Sequence, residues 1–121
     1  MQSLSPIKWQ EDKQCIAVID QRLLPYSFTE IEIGTVAETV EAIKNMTVRG
    51  APLIGITAAY GMVLADDLMA ADKALRSSRP TAVNLMWALD QIQEVINKNT
   101  KPQELRAEIL EKAKWIHADD I

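Results

Sequence analysis

Two arginines stand shortly before prolines that suit helix starts. The first lies in Asn45-Met46-Thr47-Val48-Arg49-Gly50-Ala51-Pro52-Leu53-Ile54-Gly55-Ile56, ahead of a long apolar run. The second lies in Ser78-Arg79-Pro80-Thr81-Ala82-Val83-Asn84. The start of a helix exposes unpaired backbone N–H groups and the positive end of the dipole, so it attracts anions. Arginine adds a planar fork of donors that matches phosphate oxygens. Gly50 permits a positive φ and a close approach of ligand to backbone. Proline fits the first turn because its missing N–H would be unpaired there anyway. The chemistry these residues suit is capture of a phosphate, and two such devices predict a pocket for a phosphorylated small molecule. A plainer arrangement uses the same residues: Gly50 closes one helix, Pro52 opens the next, and Arg79 is a solvated surface cation.

Other side chains divide in the same way. Asn84, in a first helical turn, would orient a ligand hydroxyl or cap backbone. Asp20-Gln21-Arg22 follows a strand-like run and reads as a salt-bridged turn rather than a polar site. Cys15 sits in an apolar run and reads as a small buried hydrophobe. Trp87, on an apolar helix, is expected in the core rather than as a stacking platform. His117 is the single histidine and Cys15 the single cysteine, so no metal-ligand spacing exists and no internal disulfide forms. No serine–histidine–aspartate set, glycine-rich dinucleotide loop or P-loop occurs.

The chain has 121 residues, 48% hydrophobic and 25% charged, which suits one folded domain rather than a disordered segment. A net charge of −4 argues against broad attraction to nucleic acid or anionic membrane, leaving phosphate to be held by local arginines and dipoles. The lone cysteine and the lack of a signal-like N-terminus point to the cytoplasm. The longest apolar run, from Ala51 to Ala65, is short for a membrane span.

The elements that must hold these residues fall into an α+β order. Pro6-Ile7-Lys8-Trp9-Gln10, Cys15-Ile16-Ala17-Val18-Ile19-Asp20 and the alternating Thr29-Glu30-Ile31-Glu32-Ile33-Gly34 predict about three strands in a small antiparallel sheet. Such a sheet needs helices packed on it. Four to five helices follow. Thr35-Val36-Ala37-Glu38 is a capping box opening a helix with Val36, Val40, Ile43 and Met46 on one face. A helix from Pro52 to about Leu64 is apolar nearly all round and belongs at the centre. A weaker helix is expected from Asp66 to Leu75, another from Pro80 to about Asn97, and a last one after Thr100 carrying Leu105, Ile109, Leu110 and Ile116. Residues 1–34 would form a small β subdomain and 35–121 a helical bundle, together one N-terminal domain. The last helix stops at Ala118-Asp119-Asp120-Ile121 without a glycine cap, which reads as a piece of a longer chain.

The run from Met46 to Gly55, Ala58-Ala59-Tyr60-Gly61, the run from Arg79 to Leu85 with Trp87-Ala88-Leu89, and Asp20-Gln21-Arg22-Leu23-Leu24-Pro25 together resemble the N-terminal part of the methylthioribose-1-phosphate isomerase family. The likeness covers essentially the whole chain. The wider superfamily includes ribose-1,5-bisphosphate isomerase and regulatory subunits of the guanine-nucleotide exchange factor for translation initiation factor 2. Those relatives supply the alternatives: the bisphosphate isomerase, or a non-catalytic regulatory domain.

The resemblance implies a larger Rossmann-like C-terminal domain that this chain lacks. It implies aldose-to-ketose isomerisation of 5-methylthioribose 1-phosphate in methionine salvage, with no metal or nucleotide cofactor and a homodimeric whole protein. By motif it assigns Arg49, Gly50 and Ala51 to the region around the substrate, and Arg79 to its phosphate or hydroxyls. The family's catalytic cysteine and aspartate belong to the C-terminal domain, so no catalytic residue is expected here and Cys15 is not that cysteine. The isolated chain is expected to be inactive. One departure is visible: the stretch between Gly61 and Arg79 is shorter than the family leads one to expect.

Overall fold

The computed structural model describes residues 7–20, 22, 29–48, 50–98 and 101–119. Pro6, Gln21, residues 23–25, Arg49, Thr100, Asp120 and Ile121, all of which entered the expectations above, lie outside them. Three strands, β1 (Ile7–Gln10), β2 (Cys15–Ile19) and β3 (Glu30–Ile33), form one antiparallel sheet in the order β1-β2-β3. All five residues of β2 are buried, as its unbroken apolar sequence requires of a central strand. On β3, the final Ile33 is buried while Glu30 and Glu32 stay exposed, following the period of two. The sheet is therefore small but closed on its inner face by helices.

Five helices complete the α+β fold: α1 (Val36–Lys44), α2 (Ala51–Val63), α3 (Leu68–Ser78), α4 (Val83–Lys98) and α5 (Pro102–Asp119). Thr35 caps α1 by accepting from Glu38 N–H at 3.1 Å. The glutamate's return bond departs from the expected box: Glu38 Oε1 accepts from Gly34 N–H at 2.9 Å, one residue before the cap. The buried face of α1 is Thr39, Ala42 and Ile43, with Val36 and Val40 at its margin. Met46 does not continue that face. It lies beyond the helix, with φ of 68° and its side chain 43% exposed.

The central position expected for α2 is observed. Residues 53–63 are all buried, and the helix packs against every other helix and against β1. Its contact with α4 is unusually tight at Gly55. A Cβ placed there would lie 2.9 Å from the Asn84 carbonyl oxygen, so only glycine lets the start of α4 come this close. Tyr60 stacks on Trp9 of the sheet, with ring centroids 5.8 Å apart and nearly parallel planes. Its hydroxyl meets His117 Nδ1 at 2.9 Å, so one aromatic column joins the sheet, α2 and the end of α5.

Two helix boundaries differ from expectation. α3 starts where Asp67 accepts from Ala70 N–H at 3.1 Å, and it continues to the buried Ser78 rather than ending at Leu75. α4 begins at Val83, not at Pro80. Ala82 N–H donates to Arg79 C=O at 3.0 Å, which closes a tight turn with Pro80 in its second position. The second arginine therefore precedes a turn that feeds a helix, not the helix itself. Trp87 is also not a core residue. It is 39% exposed and leans on Trp115 of α5 at 6.4 Å, because it faces away from the buried row Leu85, Ala88, Leu89 and Ile92.

Candidate functional site

The start of α2 and the turn before α4 meet because Gly55 draws the two helices together. Between them opens a cavity of about 570 Å³, lined by Met46, Gly50, Ala51, Ile54, Arg79 and the first residues after Pro80, from Thr81 to Asn84. Three of the four expected site residues, Gly50, Ala51 and Arg79, share this cavity. Arg49 lies outside the described residues.

Each wall has a sequence cause. Gly50 is the N-cap of α2 and holds φ of 97°, a backbone that favours glycine. No side chain caps this helix, and its first turn has no carboxylate. Ile54 N–H donates to Gly50 C=O at 3.0 Å, and Pro52 carries no N–H. The N–H groups of Ala51 and Leu53 lie in the first turn, at the positive end of a 13-residue dipole.

Arg79 ends α3 at the opposite wall. The other described arginines are engaged. Arg22 grips Asp20 through two nitrogens at 2.9 and 2.7 Å. Arg76 bridges Asp72 and Asp90, each at 2.9 Å. Arg106 donates to Val63 C=O at 2.8 Å. Among the described arginines, Arg79 alone has neither an ion pair nor a side-chain hydrogen bond to another described residue. Asn84 and Thr81 line the same hollow, and no described group bonds the Asn84 amide. A cation, a helix start and two neutral polar groups converge on one space.

A larger hollow of about 670 Å³ lies between α4 and α5 beside Trp115. Three lysines (Lys98, Lys101, Lys112) face three glutamates (Glu104, Glu108, Glu111) there, so the charges offset and no anion is favoured. Volume therefore does not choose the site; unopposed positive potential does.

The remaining candidates resolve into structure. Asp20 is buried, and its Oδ1 accepts from Arg22 backbone N–H at 3.0 Å as well as from the guanidinium. The Arg22 side chain holds the Asp20 carboxyl below its ordinary pKa, against the opposing effect of burial. This is the salt-bridged turn. Cys15 is buried, its thiol 3.3 Å from Gln10 Oε1, and burial pushes its pKa up, which leaves it a poor nucleophile. Burial likewise lowers the pKa of His117 and raises that of Tyr60 to about 12. Among the described residues no group of three or more His, Cys, Asp or Glu side chains is placed to hold a metal ion. No helix there is long and apolar enough to cross a membrane.

Sequence reasoning missed Met46, Ile54, Thr81, Ala82 and Val83 as cavity residues. Met46 was placed on α1 by its spacing from Ile43. The signal against that placement was Asn45, whose side chain can end a helix by bonding backbone two residues on, as it does to Thr47 N–H at 3.0 Å.

Fold and cavity together define an α+β domain that presents an unpaired arginine opposite an uncapped central helix. Comparison with known proteins gives that class a family. The chain belongs to the Initiation factor 2 subunit family, whose pattern matches residues 35–121. It is 42% identical to a methylthioribose-1-phosphate isomerase of Picosynechococcus over 98% of this chain and 38% of that protein. It is 39% identical to a 5-deoxyribose 1-phosphate isomerase of Clostridium botulinum, covering 100% of this chain and 39% of that one. Among solved structures, the 5-methylthioribose 1-phosphate isomerase from Pyrococcus horikoshii matches with a TM-score of 0.91 at 32% identity, over 98% of this chain and 37% of that one. The delta subunit of translation initiation factor eIF-2B from A. fulgidus matches with a TM-score of 0.81 at 30% identity, over 97% and 37%. The chain thus spans under two fifths of the length of these relatives. The Picosynechococcus alignment runs over 133 residues, more than the 121 of this chain, so that relative carries residues this one lacks. Here α2 and α3 are joined by residues 64–67 alone.

Proposed function

We propose that the protein carrying this domain is an aldose–ketose isomerase converting 5-methylthioribose 1-phosphate to 5-methylthioribulose 1-phosphate, and that this chain is its substrate-binding N-terminal part. The observation that carries the reading is the convergence of partner-free Arg79 with the uncapped start of α2 at Gly50 and Ala51 in one cavity. Phosphate would sit against the α2 donors with Arg79 on its flank, and Asn84 and Thr81 would take sugar hydroxyls. Arg49, adjacent in sequence to Gly50, would add a second cation.

The isomerisation moves a hydrogen between C2 and C1 and needs an acid–base pair. The cavity lining holds no carboxylate, histidine or cysteine among the described residues. Its part is therefore positioning, and the proton-moving groups would come from a Rossmann-like second domain. Without them the roughly 10²–10⁴-fold contribution of general acid–base catalysis is lost. The whole protein would act in the cytoplasm as a homodimer, without metal or nucleotide cofactor. The sugars named for the two relatives share one trait: C5 carries methylthio or hydrogen, not a hydroxyl.

A second reading follows from the likeness to the initiation-factor subunit: a regulatory domain that binds a phosphorylated metabolite without converting it. Full-length protein incubated with 5-methylthioribose 1-phosphate, with ketose measured, separates the two. Conversion by the full-length protein and none by residues 1–121 is the expected result. Binding without conversion favours the regulatory reading, and turnover by the 121-residue chain contradicts the division of labour.

A further inference from the structure

We infer that Met46 is the specificity-determining residue of the cavity, taking the apolar C5 end of the sugar phosphate; this deepens the isomerase reading and rests on it. Met46 is one of only two described non-glycine residues with positive φ. A side chain in this left-handed region is crowded against its own backbone, and glycine or asparagine normally occupies it at a helix end. Its neighbours impose the conformation. Asn45 Oδ1 accepts from both the backbone N–H and the hydroxyl of Thr47, at 3.0 and 2.6 Å. Val48, fully buried, donates its N–H back to Ala42 C=O at 3.3 Å. Met46 is held at the apex between these anchors, and glycine there would satisfy them without crowding.

What methionine adds is its side chain, and that side chain borders the cavity. Five large hydrophobic residues are exposed among those described, and two of them, Met46 at 43% and Val83 at 77%, line this one hollow. With Ile54 they make an apolar wall beside the cation and the helix start. Exposed apolar surface rimmed by polar groups marks a place where something apolar binds. A flexible thioether suits a small, variable apolar group. The phosphate end of a pentose thus has its cation and dipole, and the C5 end has Met46.

The test uses full-length protein with Met46→Gly and Met46→Asn, both compatible with positive φ, so neither is expected to unfold it. Melting temperature is read alongside kcat/KM and Kd for 5-methylthioribose 1-phosphate and for ribose 1-phosphate, which differs by a C5 hydroxyl. The expected result is a melting temperature at or above wild type in Met46→Gly. Alongside it, affinity and kcat/KM for the methylthio sugar should fall about tenfold, the usual worth of one or two apolar groups in a pocket. Ribose 1-phosphate should change far less. Equal effects on both sugars, or none on either, would overturn the assignment while leaving the isomerase reading standing. A wild type that binds neither sugar overturns both.

Discussion

Gly55→Ala is the sharpest probe of how the cavity is built. The added Cβ would lie 2.9 Å from the Asn84 carbonyl oxygen, 3.3 Å from its carbon and 3.6 Å from Ala88 Cβ. The first two neighbours are backbone, so no side-chain rotation relieves them, and the start of α4 must retreat by a few tenths of an ångström. Two effects oppose each other. Alanine is favoured over glycine inside a helix by about 1 kcal/mol. Overpacking a close-packed contact costs about 1–3 kcal/mol. The net is a destabilisation of about 0–2 kcal/mol, or a melting temperature lower by up to roughly 10 °C for a domain of this size. Val83 and Asn84 ride on the displaced turn, so the cavity widens and ligand affinity falls with stability. Thermal unfolding followed by circular dichroism, paired with calorimetric titration of the sugar phosphate, reads both. Because the clash is with backbone, a second change, Ala88→Gly, should not rescue it. A melting temperature that rises by the full helix-propensity gain, with unchanged affinity, would refute the close approach.

Gly50→Ala tests strain without crowding. Nothing lies within 4 Å of a Cβ there, yet φ is 97°. The expected loss is about 1–3 kcal/mol from conformation alone, read by urea unfolding, and Gly50→Asn should lose as much, because ψ of 129° lies outside the left-handed helical region that asparagine tolerates. His117 should make stability fall in mild acid. Burial holds its folded pKa below the ordinary 6.5, so the unfolded chain takes up the proton first. Stability is full above 6.5 and declines as pH falls through that value toward the lower folded pKa. A His117→Phe variant should flatten the melting temperature across that window, and an unchanged slope would mean other groups carry it.

Much of the fold was legible because its signals are local and strong. The apolar run of β2 and the alternation of Glu30 to Ile33 correspond to the central and edge strands seen. The all-round apolarity of residues 53–63 marked α2 as central. Boundaries were less legible where side-chain bonds set them. Asp67 fixes the start of α3, and the Arg79–Ala82 turn delays α4 past Pro80. Trp87 was misplaced because its apolar type was weighed without its spacing, which puts it off the row of Leu85, Ala88, Leu89 and Ile92. Of the site, Gly50, Ala51 and Arg79 were named from spacing and resemblance, and the structure places them around one cavity. Their meeting was not legible, since it depends on Gly55 passing under Asn84, a contact between helices nearly thirty residues apart. Met46 escaped because its left-handed backbone follows from bonds on both sides of it rather than from its own type.

The central claim is that the space between Arg79 and the start of α2 holds the phosphate of a sugar. Calorimetric titration of full-length protein and its Arg79→Ala variant with 5-methylthioribose 1-phosphate tests it most directly. Losing a charge-assisted bond of about 1.5–3 kcal/mol weakens binding by about 10- to 100-fold. Because Arg79 has no described ion-pair partner, the melting temperature of the variant should match wild type. Weakened binding at unchanged stability is the predicted result; equal affinity in the two proteins would contradict the account.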